Sequence, residues 1–407
     1  MLRRAGSAVF RLLASFGFAS IVFVLLLLLT FLGTLEQAHT GLYDVQKKYF
    51  ESLFLIHRLF GVIPIPLPGA YLVMTLLFLN LLCGGIVRIR KTKSRAGILL
   101  THAGMLFMLV AGFVKFQHSK DGALTLYEGE SAAYFESWFD WEVAVREAKG
   151  AEETTEFVIP VSPHDWKRSG RAITYRSAEL PFDLVLSGFF RNARPLPAAG
   201  LATAGARVID GFTLEALGPA KEAEQNMGGT YVTLVEKAGA AKHDGILWGL
   251  QQQLLVVEVG GRSWAVDLRK RRWDLPFTIV LDKFNHEMHP GTGIAKRFTS
   301  DVTKIEAGAS QRVHITMNQP LRQEGFTLYQ SSWGPSNARP GEPLFSTFSV
   351  VRNPADQWPL YSCLTIAAGL LLHFVRKLLG YLRVENRRVR ERVPATTALP
   401  VAKEKVG

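Results

Sequence analysis

The stretch Ala96–Val114, AGILLTHAGMLFMLVAGFV, contains no charged residue and a single histidine, His102. A helix rising about 1.5 Å per residue needs roughly 18 to 20 apolar residues to cross the hydrocarbon core of a bilayer. A water-soluble helix of that length would interrupt its apolar residues with a polar face, so the stretch reads as a membrane span. Leu12–Leu35, Gly69–Val87 and Trp358–Val375 pass the same test. The expected fold class is therefore an integral α-helical membrane protein with four transmembrane helices and, between the last two, a large extracytoplasmic antiparallel β-rich domain.

Charge orients the chain. Residues 1–11, 88–95 and 376–407 hold 17 of the 47 Lys and Arg and three of the 35 Asp and Glu, which leaves 30 basic and 32 acidic residues elsewhere. The net charge of +12 thus belongs to the flanks of the spans, where it predicts contact with membrane lipid and argues against nucleic acid as a partner. Lys and Arg collect on cytoplasmic loops. Both termini are then cytoplasmic and residues 116–357 lie outside. The first span follows Arg3, Arg4 and Arg11 as a signal peptide would, but its apolar run is too long and no small-residue cleavage pattern closes it, so it reads as an uncleaved anchor.

The organisation follows: an N-terminal tail and first transmembrane helix over 1–35; an extracytoplasmic loop over 36–68 with an amphipathic surface helix on Leu42, Val45, Tyr49, Leu53, Ile56 and Phe60; a second helix over 69–87; a cytoplasmic basic loop over 88–95; a third helix over 96–115; the β-rich domain over 116–357; a fourth helix over 358–379; and a cytoplasmic basic tail over 380–407. In the β-rich domain, Phe182-Asp-Leu-Val-Leu, Thr230-Tyr-Val-Thr-Leu-Val and Phe326-Thr-Leu-Tyr alternate as half-buried strands do. Gly260-Gly261, between Leu254-Leu-Val-Val-Glu-Val and Trp264-Ala-Val-Asp-Leu, predicts a tight hairpin and with it a sandwich or barrel-like arrangement.

Ionisable residues inside a span are costly and mark a functional site or a contact with a partner. His102 lies about six residues into the third span and His373 three residues before Arg376 in the fourth, both toward the cytoplasmic side. Such an imidazole can ligate a metal or haem iron, or hydrogen-bond to a neighbouring helix; near its basic flank, His373 can also reach the interface. Cys83 and Cys363 lie in spans at depths about 14 Å apart, beyond disulfide reach, and read as packing residues. His286-Glu-Met-His289 has its histidines three apart on a strand-like stretch, whereas the zinc protease motif needs them four apart on a helix. His118, His164, His243 and His314 stand in polar contexts and read as solvated, while His39 and His57 read as packing at the membrane interface. The chain has no G-x-S-x-G elbow, P-loop, Rossmann fingerprint or C-x-x-C, hence no self-contained active site.

Several segments together resemble the ResB (CcsB) family of System II cytochrome c biogenesis: Gly33-Thr-Leu-Glu-Gln37, Tyr49-Phe-Glu-Ser-Leu-Phe54, Asn80-Leu-Leu, Gly97-Ile-Leu-Leu-Thr-His102-Ala-Gly104, His289-Pro-Gly-Thr292, Met317-Asn-Gln-Pro-Leu321 and Gly325-Phe-Thr-Leu-Tyr-Gln-Ser-Ser332. The resemblance implies a multi-pass protein of the bacterial inner membrane with a periplasmic domain. It implies a ResC (CcsA)-type partner, haem in transit, and apocytochrome c whose C-x-x-C-H motif receives it. His102 matches the family's third-span histidine and would share haem b with a partner histidine; His373 is the rival ligand. The chain would be a non-catalytic or co-catalytic subunit of a haem lyase. The alternative is a structural anchor whose external domain docks apocytochrome or partner proteins without ligating haem.

Overall fold

The computed structural model describes residues 2–148, 155–161, 172–198, 207–239, 241–291, 295–335, 337–339 and 341–392. They form two compact units, one from the described parts of residues 1–31, 48–117 and 355–407, the other from residues 32–47 and 118–354. His164, Thr292 and the tail beyond Arg392 lie outside the described residues.

Among the described residues, four helices are long and apolar enough to cross a membrane. The expected first span is a single helix, α2 (Phe16–Thr40), that starts at Phe16 rather than Leu12, because the basic N-terminal stretch forms a separate helix α1 (Leu2–Leu13). The last carbonyls of a helix have no partner within it, and here other side chains supply one. The buried Asn80 donates its Nδ2 to Leu13 O at 2.6 Å and Ser15 O at 3.2 Å, and Arg88 donates to Ala14 O at 2.9 Å.

The amphipathic helix expected after α2 is cut short. Helix α3 (Leu42–Val45) runs into a π-helical turn, Gln46–Phe50, and the next residues form an antiparallel hairpin of β1 (Phe54–Leu59) and β2 (Ile63–Pro68). Ile56 therefore lies on a strand and Phe60, at φ 52°, in the turn. Pro64, Pro66 and Pro68 explain the difference. Proline lacks the donor a helix interior needs, and at alternate positions of an edge strand that donor is not required.

Helix α4 (Ala70–Asn80) continues as a π-helical stretch, Leu81–Val87, in which Arg88 N bonds Cys83 O at 2.9 Å, five residues back. Helix α5 (Ala96–His118) follows. Helix α6 (Trp358–Arg392) runs unbroken well past the expected end at 379, because residues 376–392 are rich in the helix formers Leu, Arg and Glu and add the pair Arg387–Glu391 at i, i+4. Both cysteines are free.

The second unit is an antiparallel β-rich domain, as the alternating runs predict. Its strands are β3 (Lys120–Tyr127), β4 (Ser131–Glu147), β5 (Glu156–Val161), β6 (Ile173–Tyr175), β7 (Phe182–Phe190), β8 (Ala193–Pro197), β9 (Phe212–Ala216), β10 (Gly229–Glu236) and β11 (Lys242–Trp248). Then come β12 (Leu255–Val259), β13 (Arg262–Met288), β14 (Ala295–Glu306), β15 (Ala309–Thr316), β16 (Leu321–Gln323), β17 (Phe326–Gly334) and β18 (Phe345–Arg352). The expected hairpin is β12–β13, with Val259 opposite Arg262 and both turn glycines at positive φ. A side chain there would be strained, which is why a Gly-Gly pair closes it.

Two cores form along the paired long strands β4 and β13. In the first, Val143 and Val145 of β4 and Trp264, Val266 and Leu268 of β13 pack against the sheet β11–β10-β7–β6 through Phe182, Leu184, Val232 and Leu234. This lobe is a sandwich. In the second, Phe135, Leu275, Phe277, Ile279 and Leu281 meet residues of β14, β15, β17 and β18. The sheet order β15-β14-β13-β4-β3-β18-β17-β16 curls enough for Ser300 of β14 to hydrogen-bond Gln330 of β17 at 2.6 Å and Ser346 of β18 at 3.0 Å. The β4–β13 register slips twice, between Lys270 and Arg272 and between Asp274 and Ile279, where the strands pass from one core to the other. Such irregularities bend a ladder locally.

Lys270 sits at the first slip. Its Nζ donates to Trp138 O at 2.9 Å and lies 4.3 Å from the Trp141 ring centroid. Burial pushes the amine down to about 8, opposed in part by Asp140, Glu136 and Glu224 and reinforced by Arg191. An unfolded-chain lysine titrates near 10.4. Between about 8 and about 10.4 the unfolded chain therefore binds more protons than the folded one, and stability rises with pH; below about 8 both states are protonated and the slope vanishes. Thermal melts of the full chain in detergent across this window should show wild type gaining on Lys270→Met as pH rises. A constant gap between the two would refute the assignment.

Candidate functional site

His102 stands on α5, and the small residues around it decide what it faces. Gly97, Thr101 and Gly104 recur at the three- and four-residue spacing that stacks side chains on one helix face, and that face packs closely on α6. A Cβ at Gly97 would lie 2.7 Å from Gly369 O and from His373 N, and one at Gly104 would lie 2.7 Å from Ile366 Cγ1. The buried Ser362 donates its hydroxyl to Gly104 O at 2.6 Å, and Phe107 stacks on Trp358 with centroids 5.4 Å apart. Without a hydrophobic driving force between helices in lipid, such close backbone approach and interhelical bonds supply the association.

One residue beyond Thr101 is a turn of about 100° around the helix, so His102 leaves the α6 seam. Its imidazole rests on Gly85 in the π-helical stretch, where a Cβ would meet His102 Cδ2 at 2.5 Å and Cγ at 2.8 Å. Its Nδ1 lies 2.8 Å from Ile98 O. A carbonyl only accepts, so Nδ1 is the donor, and in the neutral imidazole Nε2 then presents its lone pair. That is the tautomer a metal-ligating histidine needs, with the opposite nitrogen fixed by a hydrogen bond.

His373 is placed differently. Its main chain packs against Gly97, five residues or about 7.5 Å along α5 from His102, and its ring lies 5.4 Å from Phe374. Among the described residues, no hydrogen bond or ring contact joins the two histidines. The π-helical stretch and Gly85 were not singled out in the sequence, although Cys83-Gly84-Gly85 inside an apolar run offered a clue, since glycine pairs and π-bulges accompany irregular helices.

Among the described residues, no group of three or more His, Cys, Asp or Glu could hold a metal ion. His286 stacks on Trp333 with centroids 4.5 Å apart, on strand β13 as its spacing suggested. His243 and His314, expected to be solvated, each pair with a carboxylate: His243 Nε2 with Glu236 at 2.7 Å and His314 Nδ1 with Asp301 at 2.7 Å. His57 Nδ1 meets the hydroxyl of the buried Tyr49 at 2.6 Å.

The fold defines a class: among the described residues, four helices apolar enough to cross a membrane, with an antiparallel β-rich domain inserted before the last of them. A family model described as "ResB-like family" matches residues 90–342. The chain belongs to the ResB-like family. It is also similar to curated proteins named "Cytochrome c biogenesis protein CcsB". From Prochlorococcus marinus strain NATL2A, one is 42% identical over 74 residues, 18% of this chain and 17% of the relative. The protein of strain NATL1A is 40% identical over 74 residues, with the same coverage of 18% and 17%. That of Synechococcus sp. strain CC9902 is 32% identical over 89 residues, 22% of this chain and 21% of the relative. The matched segments thus span about a fifth of those relatives or less.

Proposed function

We propose that this chain is a subunit of a System II cytochrome c synthase of the bacterial inner membrane. Its role is to help move haem across the bilayer with a ResC (CcsA)-type partner and to support covalent attachment of that haem to the C-x-x-C-H motif of apocytochrome c. The observation that carries this reading is His102, an imidazole in an apolar helix with Nδ1–H tied to its own backbone and Nε2 left as the donor atom. It fits one axial ligand to haem iron, with the haem as cargo and the second ligand supplied by a partner histidine. The basic flanks support an orientation with both termini in the cytoplasm and the β domain in the periplasm. Within the complex the chain's own chemistry is to bind and orient haem rather than to form bonds.

The deciding samples are wild type, His102→Ala and His373→Ala, each purified with and without the partner. Loss of the six-coordinate haem spectrum in His102→Ala alone, with haem present only when the partner is, is the expected pattern. Equal loss in both variants of the isolated chain would overturn intermolecular ligation. Full haem retention by His102→Ala in the complex would favour a structural anchor that docks proteins without ligating haem.

A further inference from the structure

Gly85 makes no polar side-chain contact, yet the imidazole of His102 could not take its present position beside any other residue. Ideal Cβ geometry at Gly85 puts that atom 2.5 Å from His102 Cδ2, 2.8 Å from Cγ and 3.2 Å from Cβ. Real Cβ atoms essentially never approach below 3.0 Å. The ring cannot simply swing aside, because its opposite edge is tied by Nδ1 to Ile98 O at 2.8 Å. Two backbone features, one on each helix, therefore fix the ring: the bare Cα of Gly85 bounds the Cγ–Cδ2 edge, and the Ile98 carbonyl holds Nδ1.

The bounding wall is itself irregular. Gly85 is buried in the π-helical stretch Leu81–Val87, whose i to i+5 bonding is shown by Arg88 N to Cys83 O at 2.9 Å. π-bulges inside α-helices occur mostly as single turns and are frequent at functional sites. Below this stretch Arg88 bonds Ala14 O, and above it Asn80 bonds Leu13 O and Ser15 O. The π-helical segment is thus anchored at both ends to the α1–α2 junction, and a side chain at Gly85 is not relieved by sliding the helix.

We infer that Gly85 is a positioning residue for the His102 ligand: its lack of a side chain, in the π-helical turn of the second apolar helix, sets the ring orientation that aims Nε2. This rests on the ligation reading above. It predicts that Gly85→Ala turns the imidazole, breaks the Nδ1 bond to Ile98 and misdirects Nε2, although no ligating atom has been removed. Loss of a group that orients a metal-ligating histidine lowers metal affinity by about 10- to 100-fold.

The test is the full chain with its partner as wild type, His102→Ala, Gly85→Ala, and the control Gly112→Ala. A Cβ at Gly112 meets nothing within 4 Å. Gly85→Ala should keep about tenfold less haem at limiting haem, and what remains should shift from six-coordinate toward five-coordinate. The control should match wild type. If His102→Ala loses the spectrum while Gly85→Ala keeps that of wild type, the inference fails and the ligation reading stands. If His102→Ala itself is unchanged, the ligation reading fails and takes the inference with it. A second measurement needs neither haem nor partner, so it decides even where Gly85→Ala does not assemble: nitrogen NMR of the histidine-labelled full chain in detergent. Wild-type His102 should appear as the Nδ1–H tautomer, and Gly85→Ala should move it toward a mixture with Nε2–H. An unmoved tautomer would overturn the inference.

Discussion

Truncating Arg269 to alanine should destabilise the β domain by about 3–5 kcal/mol, the range for breaking a buried ion pair from one side. Arg269 lies on β13 with its side chain only 9% exposed, and it holds two carboxylates at once. Its Nε donates to Glu142 Oε1 at 3.0 Å, and its two terminal nitrogens donate to the two oxygens of Glu156 at 2.7 and 2.6 Å. The fork geometry makes the second contact bidentate, the strong form of such a bond. Glu142 sits on β4 and Glu156 on β5, so a single side chain ties three adjacent strands of the first core. Most of the loss comes from Glu142, whose side chain is 3% exposed and would remain buried without its cation.

That origin makes the prediction separable from a packing effect. Replacing the pair together, Arg269→Met with Glu142→Leu, removes the stranded charge and should recover much of the loss. Urea unfolding of the full chain in detergent, followed through β-strand circular dichroism, measures both. A double variant as unstable as Arg269→Ala would refute the account. There is a matching effect of acid. The hydrogen bond from Arg269 holds the Glu156 carboxyl below its ordinary range, against the opposing effect of burial. The stability this supplies is present above the unfolded glutamate value of about 4.3 and is lost as pH falls through the lower folded value. Arg269→Ala should therefore flatten that acid limb as well as lowering the plateau.

How far the sequence disclosed this architecture depended on the range over which each feature is determined. The β12–β13 hairpin was legible because two adjacent glycines with positive φ fix its register locally. The strand at Phe182 was legible because its alternation is the burial pattern itself, with Phe182, Leu184 and Leu186 inside. The pairing of β4 with β13 was not, since Val145 meets Val266 across 121 positions of chain and no local preference encodes that choice. In residues 42–60 two periods competed. Leu42, Val45 and Tyr49 do begin on helical turns, but three alternating prolines downstream favour a hairpin, and its pairing carries Ile56 into a strand opposite Pro66.

The candidate site divides in the same way. A histidine in an apolar run is visible in one dimension, and so is Gly97-x3-Thr101-x2-Gly104 once α5 is known to be helical. What faces each of them is not. His102 turns to Gly85, 17 positions earlier, while Gly97 and Gly104 turn to a helix more than 250 positions later.

A bulky residue at Gly369 should drive α5 and α6 apart and lower the unfolding midpoint of the helical unit, with a loss of about 1–3 kcal/mol from overpacking. A Cβ at Gly369 would stand 2.5 Å from Thr101 Oγ1, 2.6 Å from Thr101 N and 2.8 Å from Gly97 O. Two of those three atoms are main chain, so no rotamer change relieves Gly369→Val and the helices themselves must separate. Separation then stretches the bond from Ser362 Oγ to Gly104 O, now 2.6 Å, and interhelical bonds of this kind contribute about 0.6 kcal/mol each in a membrane protein. Gly112→Val is the control, because it adds the same side chain to α5 where nothing lies within 4 Å, and it should stay within about 0.5 kcal/mol of wild type. Helical circular dichroism during titration with sodium dodecyl sulfate reads both variants. Equal midpoints for Gly369→Val and Gly112→Val would mean that the seam is not held by close backbone approach. Since His373 packs its main chain on Gly97 in the same seam while His102 faces Gly85, Gly369→Val should disturb the surroundings of His373 before those of His102, and haem retention in the complex should fall less than in Gly85→Ala.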